Sequence, residues 1–397
     1  MPTVLGTDTL TLVTDRGRLT AALDTAGLAI QTRSAVPVMS GVLITGHDNG
    51  DATLTGFDYQ TAITVTLPEA AHTPGQLVVS HAELRGVLSA TAKGTSKKRA
   101  DAAPVTLAMD HGTPALTVDG YTIPVEEYPT DDYPVLPDAP AAVASVDRDR
   151  FVADLARTHV ATVSPEWGLP VLETVRMEAT GDRLSMVATD RYRIAWATLP
   201  ALPDTPTIPG LVLVHGASLA KLVKRLSGDV VRVGMSGDGS LFSLTCGTVR
   251  VLMRGHDGRF PTFKPLMPTT TPVAITAGRT ELLTATMRGR AILKAKKETA
   301  MPLAVTTTRD TVTIAPDLPG STAAPQMPVK THGIPVGGRL RFLFRAEFLE
   351  EALSSFTADT VTLHATAATK PVVFTDGDAP ADSADFRHLL MPIRPPN

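Results

Sequence analysis

The chain has 397 residues, 43% hydrophobic and 19% charged, which is enough material for several buried cores. Its single cysteine excludes an internal disulfide. With no apolar run long enough to span a bilayer and no basic leader before one, a reducing cytoplasm is expected. The net charge of −3 neither argues for nucleic acid nor excludes it, because distribution matters more than the sum.

Taken in chain order, the elements repeat. Asp15-Arg16-Gly17-Arg18-Leu19 returns 132 residues on as Asp147-Arg148-Asp149-Arg150-Phe151, and 131 further on as Arg279-Thr280-Glu281-Leu282-Leu283. The strand-like Leu54-Thr55-Gly56-Phe57-Asp58 returns as Met186-Val187-Ala188-Thr189-Asp190, and Leu67-Pro68 as Leu199-Pro200. Such a long period means duplicated domains, since solenoid repeats are about 20–50 residues long.

Each third also holds an apolar run followed by an amphipathic helix. The helix stripes are Leu84, Val87, Leu88; then Leu219, Leu222, Val223; then Phe348, Ala352, Leu353. That spacing lays one face against a sheet. Val230–Met235 and Leu241–Thr245 flank a Ser/Gly/Asp turn and read as a hairpin. Val105–Met109, turning at Asp110-His111-Gly112, is its counterpart in the first third. Pro-rich seams at residues 127–137 and 259–268 and a closing Leu390-Met391-Pro392 end the ladders. The expected domains are 1–137, 138–268 and 269–397, each α+β, with two helices and antiparallel strands.

Basic residues gather on and after the helices: Lys93, Lys97, Lys98 and Arg99; Lys221, Lys224 and Arg225; Arg279, Arg288, Arg290, Lys294, Lys296 and Lys297. Acids favour turns, as at Glu126, Glu127, Asp131, Asp132, Asp376, Asp378, Asp382 and Asp385. A trough with basic helices inside has this signature. Taken singly, each is a good helix former with a solvated head. No phosphate loop, dinucleotide turn, nucleophile elbow or metal-spaced Cys/His pair is present. Cys246 reads as a buried inert thiol in a strand, and Asp190 with Arg191 and Arg193 as a structural charge group.

Several strings together resemble the bacterial DNA polymerase III beta subunit, the sliding-clamp family. Asp257-Gly258-Arg259-Phe260-Pro261-Thr262-Phe263-Lys264-Pro265-Leu266-Met267-Pro268 is similar to its D-G-x-F-P-x-Y-x-x-L-x-P seam. Ala188-Thr189-Asp190-Arg191-Tyr192-Arg193 is similar to its A-T-D-x-[HY]-R strand, and Leu390-Met391-Pro392-Ile393-Arg394 to its M-P-[MIV]-R ending. Gly56-Phe57-Asp58-Tyr59 and Arg33-Ser34-Ala35-Val36-Pro37 match elements of its first domain. The variant strings and Thr/Ala/Pro-rich composition suggest an actinobacterial type.

The resemblance implies three tandem clamp domains, with two chains meeting head to tail as a homodimer that closes a six-domain ring. Helices would line a hole around duplex DNA, which is held without reading sequence. It implies a processivity factor without catalysis, cofactor, metal or membrane, in the cytoplasm and at the nucleoid. The implied partners are the DNA polymerase III alpha subunit, a clamp loader, repair proteins and other carriers of a Q-x-x-[LM]-x-F/L-type motif. Carried over position by position, the peptide cleft comprises Thr189, Tyr192, Arg193, Ile194, Pro261, Leu266, Arg345, Phe348, Leu389, Met391, Pro392 and Arg394. Arg33, Lys221, Lys224, Arg225 and Arg279 would face DNA. Ile292 and Leu293 would pack across the dimer seam against the edge strand carrying Tyr121 and Ile123.

The chain departs from the family pattern at Pro265, in the Pro/Gly-rich stretch 317–338 and in the ending Pro395-Pro396-Asn397. These departures keep open a specialised or inhibitor-tolerant clamp copy that binds partners.

Overall fold

The computed structural model describes residues 10–31, 34–203, 210–268, 270–320, 324–332 and 339–394. The chain forms two compact units. One comprises Met1–Arg148, Pro203–Ile208 and Lys221–Gly255; the other comprises Asp149–Leu202, Pro209–Ala220 and His256–Asn397.

In the first unit, a five-stranded sheet runs in the order Ala71–Thr73, Thr11–Asp15, Pro104–Asp110, Thr113–Val118, Tyr121–Pro124. Two tight hairpins build its far side. His111 and Gly112 both have positive φ (49° and 82°), as do Asp119 and Gly120 (50° and 82°). Two central residues at positive φ suit the right-handed twist of flanking strands. The strand Tyr121–Pro124 is therefore left on the sheet edge, with Tyr121 62% exposed.

A second sheet of the same unit contains, in order, Gly75–Ser80, Gly41–Gly46, Ala52–Phe57, Thr61–Leu67, Val249–Arg254, Leu241–Cys246, Val230–Met235 and Ala142–Asp147. Helix Arg16–Ala26 packs on it and against helix His81–Thr91. Asp15 starts the first helix, its Oδ1 accepting from the Arg18 N–H at 2.7 Å. Leu19, Ala22, Leu23 and Ala26 form its buried face. The first Pro-rich seam is docked on the sheet: Tyr133 sits beside Val38, Met39 and Phe57, and its hydroxyl donates to the Thr55 carbonyl at 3.2 Å.

The second unit is built on a twelve-stranded sheet. Its order is Gly210–His215, Thr174–Thr180, Arg183–Thr189, Arg193–Pro200, Phe386–Leu390, Val372–Asp376, Thr360–Ala365, Val273–Gly278, Met327–His332, Thr311–Pro316, Leu303–Thr307, Leu340–Phe344. Helix Arg279–Ala295 packs against helix Ala346–Ser354 and the strand Thr311–Pro316. It buries Leu282, Thr286, Gly289 and Leu293. A Cβ on Gly289 would lie 2.7 Å from the end of the buried Leu303 side chain, so a larger residue there would have to push that leucine aside. Helix Arg148–His159 buries Asp154 completely, and Arg150 (2.8 Å) and Arg157 (2.5 Å) neutralise it.

The repeat is visible in the elements. Helices start at Arg16, Arg148 and Arg279, each after a strand, at the spacing read from the sequence. Two ladders recur at one register. Thr61–Leu67 pairs with Val249–Arg254 from Thr61↔Met253, and Arg193–Pro200, 132 residues further on, pairs with Phe386–Leu390 from Arg193↔Leu390. The corresponding third strand, Met327–His332, contains Pro328 and meets Thr311–Pro316 at only two positions, Thr311↔Pro328 and Val312↔Met327.

Candidate partner-binding pocket

The strand Arg183–Thr189 ends in a turn built by its own polar side chains. Thr189 Oγ1 donates to the Arg193 carbonyl at 2.7 Å and accepts from the Arg191 N–H at 3.2 Å. Asp190 Oδ1 accepts from the N–H groups of Tyr192 (2.9 Å) and Arg193 (3.0 Å). This side-chain mimic of a turn lets Arg191 take φ 78° and pushes Tyr192 outward, 47% exposed. The Asp190–Arg193 pair is structural, as its sequence context implied: Nε donates to Oδ2 at 2.8 Å with both side chains buried.

Arg193 also pairs with the Glu351 carboxylate, and its guanidinium lies 4.4 Å over the Phe348 ring. Arg345 stands 5.2 Å over Tyr192 and 5.5 Å over Phe348, and the two rings are 6.2 Å apart. The residues come from one turn and from the helix Ala346–Ser354 with its preceding residue. They form one wall of a pocket of about 620 Å³. Met391 sits beside the turn, its N–H donating to the Tyr192 carbonyl at 2.9 Å.

The structure divides the twelve expected cleft residues. Tyr192, Arg193, Arg345 and Phe348 line the pocket. Met391 and Leu266 are exposed apolar side chains, at 37% and 46%, Arg394 is exposed and Pro261 half-buried, but these four do not line it. Thr189, Ile194, Leu389 and Pro392 are buried and cannot present a surface. Thr189 is spent on the turn. Ile194 and Leu389 face each other across the ladder in a core with Val187, Phe263 and Val373. They are foundations of the site.

The sequence reading missed other lining residues, among them His159, Trp167, Glu173 and His215. His215 Nε2 is 3.5 Å from Glu173, and its Nδ1 is 2.8 Å from the Ser218 hydroxyl. Burial, aided by His215, holds His159 below the usual histidine range. No local motif marks these residues; the available signal was a tryptophan set between Pro165 and Gly168, which the structure leaves 60% exposed. Beneath the pocket, fully buried His388 is pushed down to about 3 by burial and then by the Arg193 charge. It is neutral, with Nδ1 3.3 Å from the Ser355 hydroxyl.

Lys221, Lys224 and Arg225 are exposed. Arg279 is half-buried and donates through Nε to the Ala358 carbonyl at 3.0 Å, so part of its guanidinium is occupied. Arg33 lies outside the described residues. Of the expected seam residues, Tyr121 and half-buried Ile123 are on the edge strand. Ile292 is 48% exposed, but Leu293 is 1% exposed. The placement of Leu293 at the seam is corrected: its helix turns it into the unit's own core.

Among the described residues, no cluster of three His, Cys, Asp or Glu is placed to hold a metal, and no helix is long and apolar enough to cross a membrane.

Comparison with known proteins gives two adjacent family matches. The N-terminal domain of the DNA polymerase III beta subunit matches residues 10–137, and its central domain matches 145–262. The beta sliding clamp of Streptomyces coelicolor is 28% identical over 390 residues, covering 96% of this chain and 98% of that protein. The beta sliding clamp homolog GriR of Streptomyces muensis is 28% identical over 375 residues, covering 93% and 94%. The solved beta subunit of Streptococcus pyogenes DNA polymerase superposes with a TM-score of 0.82 at 20% identity, covering 97% of this chain and all of that one. With matched domains in order and full-length relatives, the chain belongs to the DNA polymerase III beta subunit family, the bacterial beta sliding clamps.

Proposed function

We propose that this protein is a processivity clamp of three domains, 1–137, 138–268 and 269–397. Two copies close head to tail around duplex DNA, and the pocket beside Tyr192 holds an extended peptide of a polymerase or another replication or repair protein. It performs no chemistry of its own; holding is topological. The DNA polymerase III alpha subunit and a clamp loader are the first partners of this reading.

The observation that carries it is the twice-used ladder. Val249–Arg254 and Phe386–Leu390 each pair outward with a repeat-related strand, Thr61–Leu67 and Arg193–Pro200. Their counterpart in the first repeat, Tyr121–Pro124, has an open edge among the described residues. An open heterologous edge on a repeated unit is satisfied by another copy when the rotation closes. Six domains in two chains would then present the same junction throughout.

The test is retention on DNA of two topologies. The purified protein, loaded on a nicked circle with a bacterial clamp loader, should elute with the DNA in a sizing column and leave once the circle is cut. Its mass without DNA should be that of a dimer. A monomeric mass together with equal retention on circular and linear DNA would sink the proposal. A dimer that binds partner peptides but is never retained on the circle would support the specialised-copy reading.

A further inference from the structure

The pocket beside Tyr192 is lined by five carboxylates, and the protein matches three of them with its own arginines. Asp190 and Glu351 are both held by Arg193, and Glu347 lies 3.7 Å from Arg290. Glu166 and Glu173 have no arginine or lysine partner among the described residues. Glu166 is exposed, where a bare carboxylate is ordinary. Glu173 is different: its side chain is 14% exposed, and a carboxylate taken that far from water normally has a cation or several N–H donors to itself.

Glu173 has an imidazole instead. His215 Nδ1 lies 2.8 Å from Ser218 Oγ and accepts from the Ser218 N–H at 3.3 Å, which leaves the proton of a neutral His215 on Nε2. That Nε2 is 3.5 Å from Glu173 Oε2, too far for a good hydrogen bond. His159 stands close by: a Cβ on Gly216 would lie 2.8 Å from its Nδ1 and 3.3 Å from the Glu173 carbonyl oxygen. The same Nδ1 is 3.1 Å from the Thr162 hydroxyl. Burial keeps this ring neutral at neutral pH, so it brings no positive charge to the carboxylate. This corner of the pocket therefore has an acceptor in excess of its donors.

The aromatic rings of the pocket divide in the same way. Tyr192 and Phe348 already carry Arg345 and Arg193 over their faces. Trp167 lines the same pocket at 60% exposed, and no ring or cation of the described residues covers its indole. An open indole face attracts a cation, and its chain neighbour is the unmatched Glu166. The free positive charges of the pocket, Arg191 and Arg345, belong to the Tyr192 turn and to the residue before helix Ala346–Ser354. The free negative ones sit with Trp167 on the two short turns Pro165–Trp167 and Pro170–Glu173. We propose that these two turns make the pocket select partner peptides with a lysine or arginine beside the anchoring motif, its cation lying on the Trp167 indole and bonding to the Glu173 carboxylate. The proposal rests on the reading that this pocket holds a peptide, and it names the charge that peptide carries.

The experiment uses fluorescent Q-x-x-L-x-F-type peptides with alanine flanks, and versions carrying Lys or Glu on the N-terminal or the C-terminal flank. Polarisation measures each against the full chain, Glu173→Gln and Trp167→Ala. In the parent, Lys on one flank should bind about five- to tenfold tighter than Ala there, and Glu more weakly than Ala. In each variant the Lys-to-Ala ratio at that flank should fall to about two or less. The readout is a ratio within one protein, so a general loss of binding cancels. Trp167→Ala changes no charge, so its effect separates contact in the pocket from attraction by net charge. Should Glu173→Gln fail to fold, Trp167→Ala, at an exposed position, carries the test. Equal affinity for the Lys, Ala and Glu peptides at both flanks overturns the proposal, and so does a Lys gain that both variants keep. If the folded parent binds none of the peptides, the peptide reading of the pocket falls and the cation preference with it. Binding of the alanine peptide without a lysine gain removes the cation preference alone.

Discussion

The guanidinium of Arg193 stands 4.4 Å over the ring of Phe348, while its Nε holds Asp190 at 2.8 Å. One cation therefore fastens a strand-end turn to a helix that follows it much later in the chain. It is 6% exposed and faces two carboxylates, Asp190 and Glu351, so little of it is left for a ligand. In the reading proposed here Arg193 holds the pocket wall, and Tyr192 and Arg345, both beside the same ring, meet the peptide.

Removing Arg193 should therefore act first on stability. Arg193→Ala leaves buried Asp190 without its counter-ion, a change that costs about 3–5 kcal/mol in comparable buried pairs. Arg193→Lys keeps the charge but loses the planar fork over the ring, and should fall between. Urea unfolding of the three proteins checks the order. A loss below about 1 kcal/mol for the alanine variant would mean that the pair is replaced by water and is not the fastening.

Met391 should show the opposite balance. It is 37% exposed, and its backbone N–H, which truncation keeps, ties it to the turn. Met391→Ala should weaken a fluorescent Q-x-x-L-x-F-type peptide several-fold, about 1 kcal/mol, with melting nearly unchanged. Equal affinity for parent and variant would mean that the peptide is held by the pocket-lining residues without Met391.

His388 gives the pocket's foundation a pH dependence. Its folded value, about 3, lies below the ordinary histidine value of about 6.5, so between these pH values the unfolded chain binds the extra proton. The stability it contributes is present above the unfolded value and lost as pH falls through that window, at up to about 1.4 kcal/mol per pH unit. His388→Gln should flatten the fall of unfolding free energy between pH 6.5 and 3. Parallel curves for parent and variant would show that the buried imidazole is not what acid attacks.

The repeats, helix pairs and hairpins were legible because they rest on local rules: Asp before a helix, apolar residues at helical spacing, Gly at positive-φ turns. The pocket was legible only along one wall. Asp190-Arg191-Tyr192-Arg193 is contiguous, so its motif survives in the sequence. His159, Trp167, Glu173 and His215 come from separate elements, and only folding brings them together. The sequence also could not tell a pocket side chain from the one beneath it. Ile194 and Leu389 sit in strands, where alternate residues point to opposite faces, and only the ladder register decides which face is covered.

The same ambiguity at Ile292 and Leu293 yields a test of the seam. Adjacent residues of a helix lie about 100° apart, so one can be buried while the next faces solvent. Leu293 is 1% exposed and packs inside its own unit, so Leu293→Ala should cost about 2–5 kcal/mol of unfolding free energy. Ile292 is 48% exposed, and Ile292→Ala should change folding by less than about 0.5 kcal/mol. If Ile292 meets the edge strand of a second copy, that quiet substitution should still shift the dimer toward monomer on dilution in analytical ultracentrifugation. A variant that keeps the parent's dissociation constant would remove Ile292 from the seam. Since Leu293 faces the core, the helix Arg279–Ala295 would then have to meet the second copy through another exposed side chain, with Met287, 52% exposed, the next to change.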